Sequence, residues 1–135
     1  MIANDSANAN LFYIQKDIVS STLTTSDVNI IETIGNGILV EEIIVRTDGT
    51  GLAGGTNFQI KADGILSFVE TVANLGASKA IDFKNASVLG KKVPILSGTK
   101  YLSVSNTVGV GTGSGVISVI VAFRKLDSSS FARSL

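Results

Sequence analysis

The sequence predicts an all-β protein, a single-domain β-sandwich of jelly-roll-like type with little or no helix. Three observations favour this fold class. Several segments alternate apolar and polar residues with a period of two, as strands with one buried face do. Gly-rich turns separate these segments at regular spacing. The stretch with the most helix-forming composition, Glu70–Asn85, is interrupted by Gly76, so we expect one short helical turn there at most.

Length and composition exclude several kinds of protein. The chain has 135 residues, which predicts one domain with one sizeable core. Its 11 basic and 11 acidic residues cancel, so charge gives no reason to expect nucleic acid or an anionic membrane as a partner. No apolar run reaches the roughly 18 residues that cross a membrane. The first ten residues lack the features of a secretory signal, so we expect synthesis in the cytoplasm.

Two absent residue types narrow the chemistry further. The chain contains no His and no Cys. It therefore has no disulfide, no thiolate nucleophile and no catalytic triad built on His. Zinc and non-haem iron lose their usual ligands, which leaves carboxylates, lysine, or calcium and magnesium held by oxygen. We expect that the protein is not an enzyme and that it holds no cofactor and no metal.

Along the chain, the predicted domain lies between a flexible arm and a tail. Residues 1–10, rich in Ala and Asn, bury little apolar area and are expected to form the N-terminal arm. The β-sandwich spans residues 11–126, and residues 127–135, rich in Ser, are expected to form the C-terminal tail. We expect eight or nine strands. The segments with strand patterns are Leu11–Val19, Asp27–Ile34, Ile38–Thr47, Thr56–Asp63, Ile65–Val72, Val93–Leu96, Tyr101–Ser105 and Val116–Arg124.

Three local features refine these strands. Asp63-Gly64, between two of them, is the dipeptide that best suits a type I′ hairpin turn. Glu41 and Glu42 are adjacent, so a regular strand would turn one carboxylate toward the core, and we expect a β-bulge instead. The only proline, Pro94, donates no ladder hydrogen bond, which predicts that the short strand containing it is an edge strand or irregular.

The last strand of the domain, Val116–Arg124, is largely apolar on both faces. Its odd-numbered residues are Ile117, Val119, Val121 and Phe123. Its even-numbered residues are Val116, Ser118, Ile120, Ala122 and Arg124. A strand that is apolar on both faces is usually covered on both. We therefore expect the even-numbered face to contact another subunit or a larger partner.

Two Gly-rich connections have compositions found in ligand-binding loops, and each has a simpler interpretation. Gly109–Gly115 lacks the spacing of a dinucleotide-binding or phosphate-binding loop. We interpret it as a flexible hairpin loop between the last two strands. Asp48, in the connection Thr47–Gly55, is a candidate calcium ligand together with Asp63. The connection lacks the alternating acidic pattern of a calcium-binding loop, so we interpret it as an Asp-Gly turn.

The remaining candidates for chemistry are carboxylates and aromatic side chains. Glu41 and Glu42 point to opposite faces of a regular strand, which leaves Glu32 or Glu70 as the second carboxylate that a glycoside hydrolase would need. Sugar-binding sandwiches stack pyranose rings on exposed Trp or Tyr, and this chain has no Trp and two Tyr. Its six Phe residues are more simply explained as core.

Two segments resemble stretches of small virion proteins of tailed bacteriophages. They are Glu41–Phe58 and Gly111–Leu126, which together cover about a quarter of the chain. The resemblance implies a capsid decoration (cement) protein, a compact β-sandwich that assembles as a homotrimer on the outer shell and bridges major capsid subunits. It implies residence in the virion after synthesis in the host cytoplasm. It supplies no catalytic residue.

The sequence therefore favours a structural virion protein that decorates and stabilises a phage capsid. Its expected partners are further copies of the chain and the major capsid protein, with no nucleic acid and no membrane. The expected contact residues lie on the even-numbered face of the last strand and in the arm: Val116, Ile120, Ala122, Arg124, Asn8 and Asn10. The alternatives are a tail- or fibre-associated module that binds a receptor or carbohydrate, and a small enzyme that uses carboxylates alone.

Overall fold

Two antiparallel sheets, A and B, contain the strands of the computed structural model, which describes residues 11–83, 95–96 and 100–135. Sheet A has the order β1-β9-β3-β6, with β7 also paired to β3, and sheet B has the order β10-β2-β8-β4-β5. The strands are β1 Leu11–Val19, β2 Val28–Ile34, β3 Ile38–Thr47, β4 Asn57–Ala62, β5 Ile65–Thr71, β6 Ala80–Asp82, β7 Ile95–Leu96, β8 Tyr101–Asn106, β9 Val116–Lys125 and β10 Phe131–Ser134. The predicted all-β sandwich is confirmed; the jelly-roll type stays a prediction.

Helical structure within the described residues consists of two short 3₁₀ turns, Ser20–Thr22 and Val72–Leu75. The second lies in the stretch where one helical turn was expected, and it ends before Gly76. In the part of the chain that the structure describes, no helix is long and apolar enough to span a membrane.

The core lies between the sheets and is built from alternate residues of the strands. On β9, Ile117, Val119 and Val121 are at most 1% exposed, as the odd-numbered pattern predicted. They pack in one cluster with residues of sheet B such as Leu102 and Val104. Each sheet therefore gives one face to the core and keeps one face outside.

Two predicted local features are confirmed. The β4–β5 hairpin turns at Asp63 and Gly64, whose φ angles of 51° and 78° are both positive, as a type I′ turn requires. On β3, the pairing with β9 shifts between Val40 and Glu42, so one extra residue is accommodated as a bulge. The bulge keeps both Glu41 and Glu42 outside while Val40 and Ile43 point into the core.

The connection Gly109–Gly115 differs from the hairpin loop that was expected. It joins β8 in sheet B to β9 in sheet A, so it crosses between sheets. It is also fastened to neighbouring loops, because Gly111 N–H donates to Leu23 O at 2.8 Å and Gly115 O accepts from Ser20 N–H at 2.7 Å. Glycine is needed here for close packing of backbones, since a Cβ at Gly115 would lie 1.8 Å from Gly51 O.

The segment expected to be a C-terminal tail contributes strand β10, which pairs with β2 at the edge of sheet B. This strand is short and partly polar, so it does not show the alternation of apolar and polar residues by which strands were predicted. The segment is attached by polar contacts: Ser130 is buried, and Arg133 Nη2 lies 2.6 Å from Glu32 Oε2 on β2. The expected arm, residues 1–10, lies outside the described residues, as does Pro94; Ile95–Leu96 forms the short strand β7.

Candidate functional site

The outer face of sheet A is the surface on which the predicted contact residues of β9 lie. Strands β1, β9 and β3 form it with their solvent-side residues, and β6 extends it at one edge. Paired residues of neighbouring strands point to the same side of the sheet, so the residues of this face form rows that run across the strands. From end to end the rows are Leu11, Arg124 and Leu39; Tyr13, Ala122 and Glu42; Gln15, Ile120, Ile44 and Asp82; Asp17, Ser118, Arg46 and Ala80; Val19 and Val116.

Apolar side chains lie on all three of the strands that form this face. Tyr13 is 63% exposed and Leu39 is 36% exposed. Ile44 and Ile120 lie side by side on β3 and β9 and are half-buried. A contiguous group of exposed apolar side chains on one sheet face is typical of an interaction surface.

A shallow depression of about 240 Å³ lies in the second row of the face. Its lining combines an aromatic ring, two carboxylates and a guanidinium group: Leu11, Tyr13, Glu41, Glu42, Ala122 and Arg124. Ala122 is only 4% exposed because these longer side chains surround it. The bulge on β3 brings its two adjacent carboxylates, those of Glu41 and Glu42, to the same side, where both line the depression.

Polar contacts order the charged groups around the apolar centre. Arg124 Nε donates to Glu41 Oε1 at 3.0 Å, which joins β9 to the bulge of β3. At the other end, Asp17 Oδ1 accepts hydrogen bonds from Gln15 Nε2 at 3.0 Å and Ser118 Oγ at 2.7 Å. These two donors, Gln15 first, lower the pKa of Asp17 because they stabilise its ionised form.

Of the predicted contact residues, Val116, Ile120, Ala122 and Arg124 all lie on the outer face of sheet A. Asn8 and Asn10 lie outside the described residues. The role of all six residues as contacts stays a prediction.

Sequence reasoning missed the residues that neighbouring strands add to this face, above all Tyr13, Leu39 and Ile44. The alternation of β1 and β3 puts these side chains outside the core, and that signal was available. Their meeting with Ile120 depends on β9 lying between β1 and β3, which no local pattern specifies.

The outer face of sheet B has small polar side chains on its central strand. Ser103 and Ser105 on β8 occupy it and are almost fully covered by neighbouring side chains. Ser105 Oγ lies 3.4 Å from Gln59 Oε1. Lys61 on β4 forms an ion pair with Asp27 at 2.8 Å, so charges on this face are paired within the chain.

The candidate calcium ligands hold separate parts of the fold. Asp48 Oδ1 accepts from the backbone N–H groups of Gly51 at 2.7 Å and Thr50 at 3.0 Å, and Oδ2 accepts from Val116 N–H at 3.0 Å. The bonds from Gly51 and Thr50 lower the pKa of Asp48 most. Asp63 lies in the β4–β5 turn, 3.1 Å from Lys100 Nζ. Among the described residues, no group of three or more side chains is suited to hold a metal.

The candidate catalytic carboxylates are also in different places. Glu41 lies on sheet A beside Arg124, whereas Glu32 lies on β2 of sheet B beside Arg133. The third, Glu70, lies on β5 and accepts hydrogen bonds from Thr71 N–H and Asn74 Nδ2, both at 2.8 Å. The structure therefore does not bring Glu32 or Glu70 to face Glu41, as two-carboxylate hydrolysis requires.

Comparison with known proteins relates the whole sandwich to capsid structures. No protein-family model matches the sequence, and no curated protein matches it. The structure is similar to a chain in the capsid of Ralstonia phage GP4, with a TM-score of 0.59 and 13% identity, over 87% of this chain and 86% of that one. It is also similar to a chain of the cyanophage Pam1 capsid asymmetric unit, with a TM-score of 0.53 and 12% identity, over 84% and 82% of the two chains. The protein thus shares its fold with chains found in the capsid structures of two phages.

Proposed function

We propose that this protein is a structural component of a phage virion, and that it decorates the capsid and stabilises it by bridging major capsid subunits. The observation that carries the proposal is the similarity to chains of two phage capsid structures, which extends over 87% and 84% of this chain. The match covers 86% and 82% of the two matched chains as well, so it is not limited to a shared substructure.

A decoration protein acts by binding the assembled lattice more tightly than the separate subunits, because such binding adds its free energy to the stability of the shell. It needs a surface that buries apolar area, and it needs no reactive group. The outer face of sheet A offers such a surface, with Ile120 on its inner strand β9 and the exposed ring of Tyr13 on the edge strand β1. Exposed tyrosines are frequent at the energetic centres of protein interfaces.

The proposal includes assembly as a homotrimer on the outer capsid surface, with the major capsid protein as partner. Three linked copies bind a lattice with greater avidity than one copy, because each binding event raises the local concentration of the next face. The proposed role includes no enzymatic step. The carboxylates of Glu41, Glu32 and Glu70 serve local contacts in this account.

Binding to undecorated capsids of the encoding phage tests the proposal. Purified protein is mixed with intact capsids and sedimented, and we expect saturable co-sedimentation together with a higher temperature of capsid opening. Equilibrium sedimentation of the free protein is expected to give the mass of three chains. Absence of binding to intact capsids would overturn the proposed function.

The two tyrosines provide a matched pair of variants for the same experiment. Tyr13→Ala removes an aromatic ring from the outer face of sheet A, and we expect it to weaken capsid binding by about tenfold or more. Tyr101→Ala removes the same ring from sheet B, where we expect little effect on binding. Circular dichroism of both variants verifies that each is folded.

A glycan array separates this proposal from the alternative. Saturable binding of a glycan, combined with no binding to capsids, would instead assign the protein as a tail- or fibre-associated recognition module.

A further inference from the structure

We propose that the outer face of sheet A docks on a protein surface with an apolar centre and a basic rim, and that sheet B then faces solvent. This inference rests on the proposed function and names the chemistry of the partner surface and the orientation of the sandwich on it.

The apolar centre of the face sets the first requirement on the partner. Tyr13, Ile120 and Ile44 occupy adjacent rows on three neighbouring strands, and Leu39 lies at the end of the same surface. A flat sheet face with such a centre buries area best against another protein surface, whose own centre must then be apolar.

The charges around that centre set the second requirement. Among the described residues, this face has the carboxylates of Asp17, Glu42 and Asp82, that of the bulged residue Glu41, and the guanidinium groups of Arg46 and Arg124. One of these guanidinium groups, that of Arg124, already pairs with Glu41 at 3.0 Å. The face is therefore acidic, although the chain as a whole has no net charge. Complementary potentials favour a partner whose rim bears lysine or arginine.

The same charge count disfavours the same face of a second copy as the occupant. Two identical faces placed against each other would double the excess of carboxylates within one interface. Like charges brought together in an interface cost free energy and reduce the rate of association. A face that disfavours pairing with an identical face in this way remains free to bind a different, basic surface.

The paired charges of sheet B set the orientation. Ser103 and Ser105 of its central strand are covered, and its exposed aromatic side chains, Tyr101 at 36% and Phe131 at 41%, lie toward one end of the face. Its charged side chains include the ion pairs of Lys61 with Asp27 and of Lys100 with Asp63. Groups that are already paired gain little from a partner and lose hydration when covered. The face with the exposed apolar centre therefore turns toward the shell.

Neutral variants test the charge requirement with undecorated capsids as the probe. The double variant Asp17→Asn and Asp82→Asn removes two negative charges from the face, and asparagine keeps an oxygen that accepts the bonds of Asp17. We expect about fivefold to tenfold weaker binding at low salt and a shallower loss of affinity as salt is added. Binding equal to or tighter than that of the unmodified protein would overturn the inference that the partner surface has a basic rim.

The matched control is Asp63→Asn. It makes the same chemical change on sheet B, at a turn position with positive φ where asparagine is well tolerated. We expect its capsid affinity and salt dependence to equal those of the unmodified protein. A loss of affinity as large as that of the double variant would show that the effect is not specific to sheet A, which would also overturn the inference.

Cysteine labelling tests the orientation, because the chain has no cysteine of its own. Gln15→Cys places one thiol on the outer face of sheet A, and Asn29→Cys places one on the outer face of sheet B, both at exposed amide positions. On decorated particles we expect a maleimide to react with the second thiol and at least about tenfold more slowly with the first. Equal reactivity, or protection of the second alone, would overturn the orientation while the proposed function stood. Absence of any capsid binding by the unmodified protein would overturn both.

Discussion

Among single residues, Asp127 fixes the start of the last strand to the turn between β2 and β3. Its Oδ1 accepts from Ser129 Oγ and Ser130 Oγ, both at 2.8 Å, and its Oδ2 accepts from Asn36 Nδ2. These donors, the hydroxyl of Ser129 first, lower the pKa of Asp127 to about 2. One carboxylate therefore joins β10 to an element distant in the sequence.

A pH dependence of stability follows from this shift. The pKa of Asp127 is lower in the folded state than in the unfolded state, so the unfolded state binds the proton more tightly. The stabilisation is present above the unfolded pKa, and we expect it to be lost as the pH falls from about 4 to about 2. Urea denaturation over this range measures it. Asp127→Asn and Ser129→Ala should each flatten the profile, and an unchanged slope in both would contradict the assignment.

Gly115 is a second residue whose identity is set by contact. A Cβ there would lie 1.8 Å from Gly51 O, whereas a Cβ at Gly49 would meet no atom within 4 Å. We expect Gly115→Ala to reduce the free energy of unfolding by about 1–3 kcal/mol through overpacking. Gly49→Ala should change it by less than about 0.5 kcal/mol. Denaturation of the two variants compares them directly, and equal stabilities would refute the close-packing account.

Among the elements, strand β3 contains the feature with the clearest test, its bulge. Deleting Glu41 leaves Val40 inward, Glu42 outward and Ile43 inward, which is a regular alternation. We expect this deletion variant to fold with a modest loss of stability, because it removes one exposed ion pair and the local bend.

Deleting Ile44 serves as the control for that variant. It brings Ile43 and Val45 next to each other, so a core side chain must turn outward and register is lost on one side of the deletion. Thermal unfolding followed by circular dichroism should show a much lower midpoint for this variant than for the deletion of Glu41. The reverse order would contradict the bulge as the place where the extra residue is absorbed.

The same elements show which parts of the fold the sequence could predict. The hairpin at Asp63-Gly64 and the bulge at Glu41 and Glu42 were predictable because residues close in the chain determine both. The crossing from β8 to β9 was not, since Gly109–Gly115 has the composition of a hairpin loop and only the sheet assignment of its two strands distinguishes the cases. Strand β10 was missed because polar contacts attach it.

Of the candidate site, the sequence could predict the part that lies on strand β9. The two apolar faces of β9 indicated that Ile120 and Ala122 lie outside the core. The contributions of Tyr13 and Leu39 depend on β1 and β3 flanking β9, which is a long-range pairing. Period-two alternation specifies a side of a strand but does not identify the neighbouring strand.

At the scale of the whole molecule, the chain passes back and forth between the two sheets. Sheet A contains β1, β3, β6, β7 and β9, and sheet B contains β2, β4, β5, β8 and β10. Neither sheet is a continuous stretch of sequence, and their inner faces share one core. We expect the sheets to unfold together in one cooperative transition.

The two tyrosines report on the two sheets separately. Tyr13 lies on sheet A and Tyr101 on sheet B, and the chain has no tryptophan to mask their fluorescence. The variants Tyr13→Phe and Tyr101→Phe each leave one reporter. Urea transitions of the two variants, corrected for any difference in overall stability measured by circular dichroism, should coincide with the loss of strand signal. Fluorescence midpoints that depart from that signal would show that one sheet survives without the other.

The place of β9 between β1 and β3 has a consequence for the nascent chain. Asp17 and Ser118 meet on that face although 101 positions separate them. The ribosome releases β1 and β3 long before β9, the strand that lies between them, has been translated, so a partly synthesised chain lacks the assembled outer face of sheet A. If the proposed function holds, products that terminate before β9 lack this face and are expected not to bind capsids.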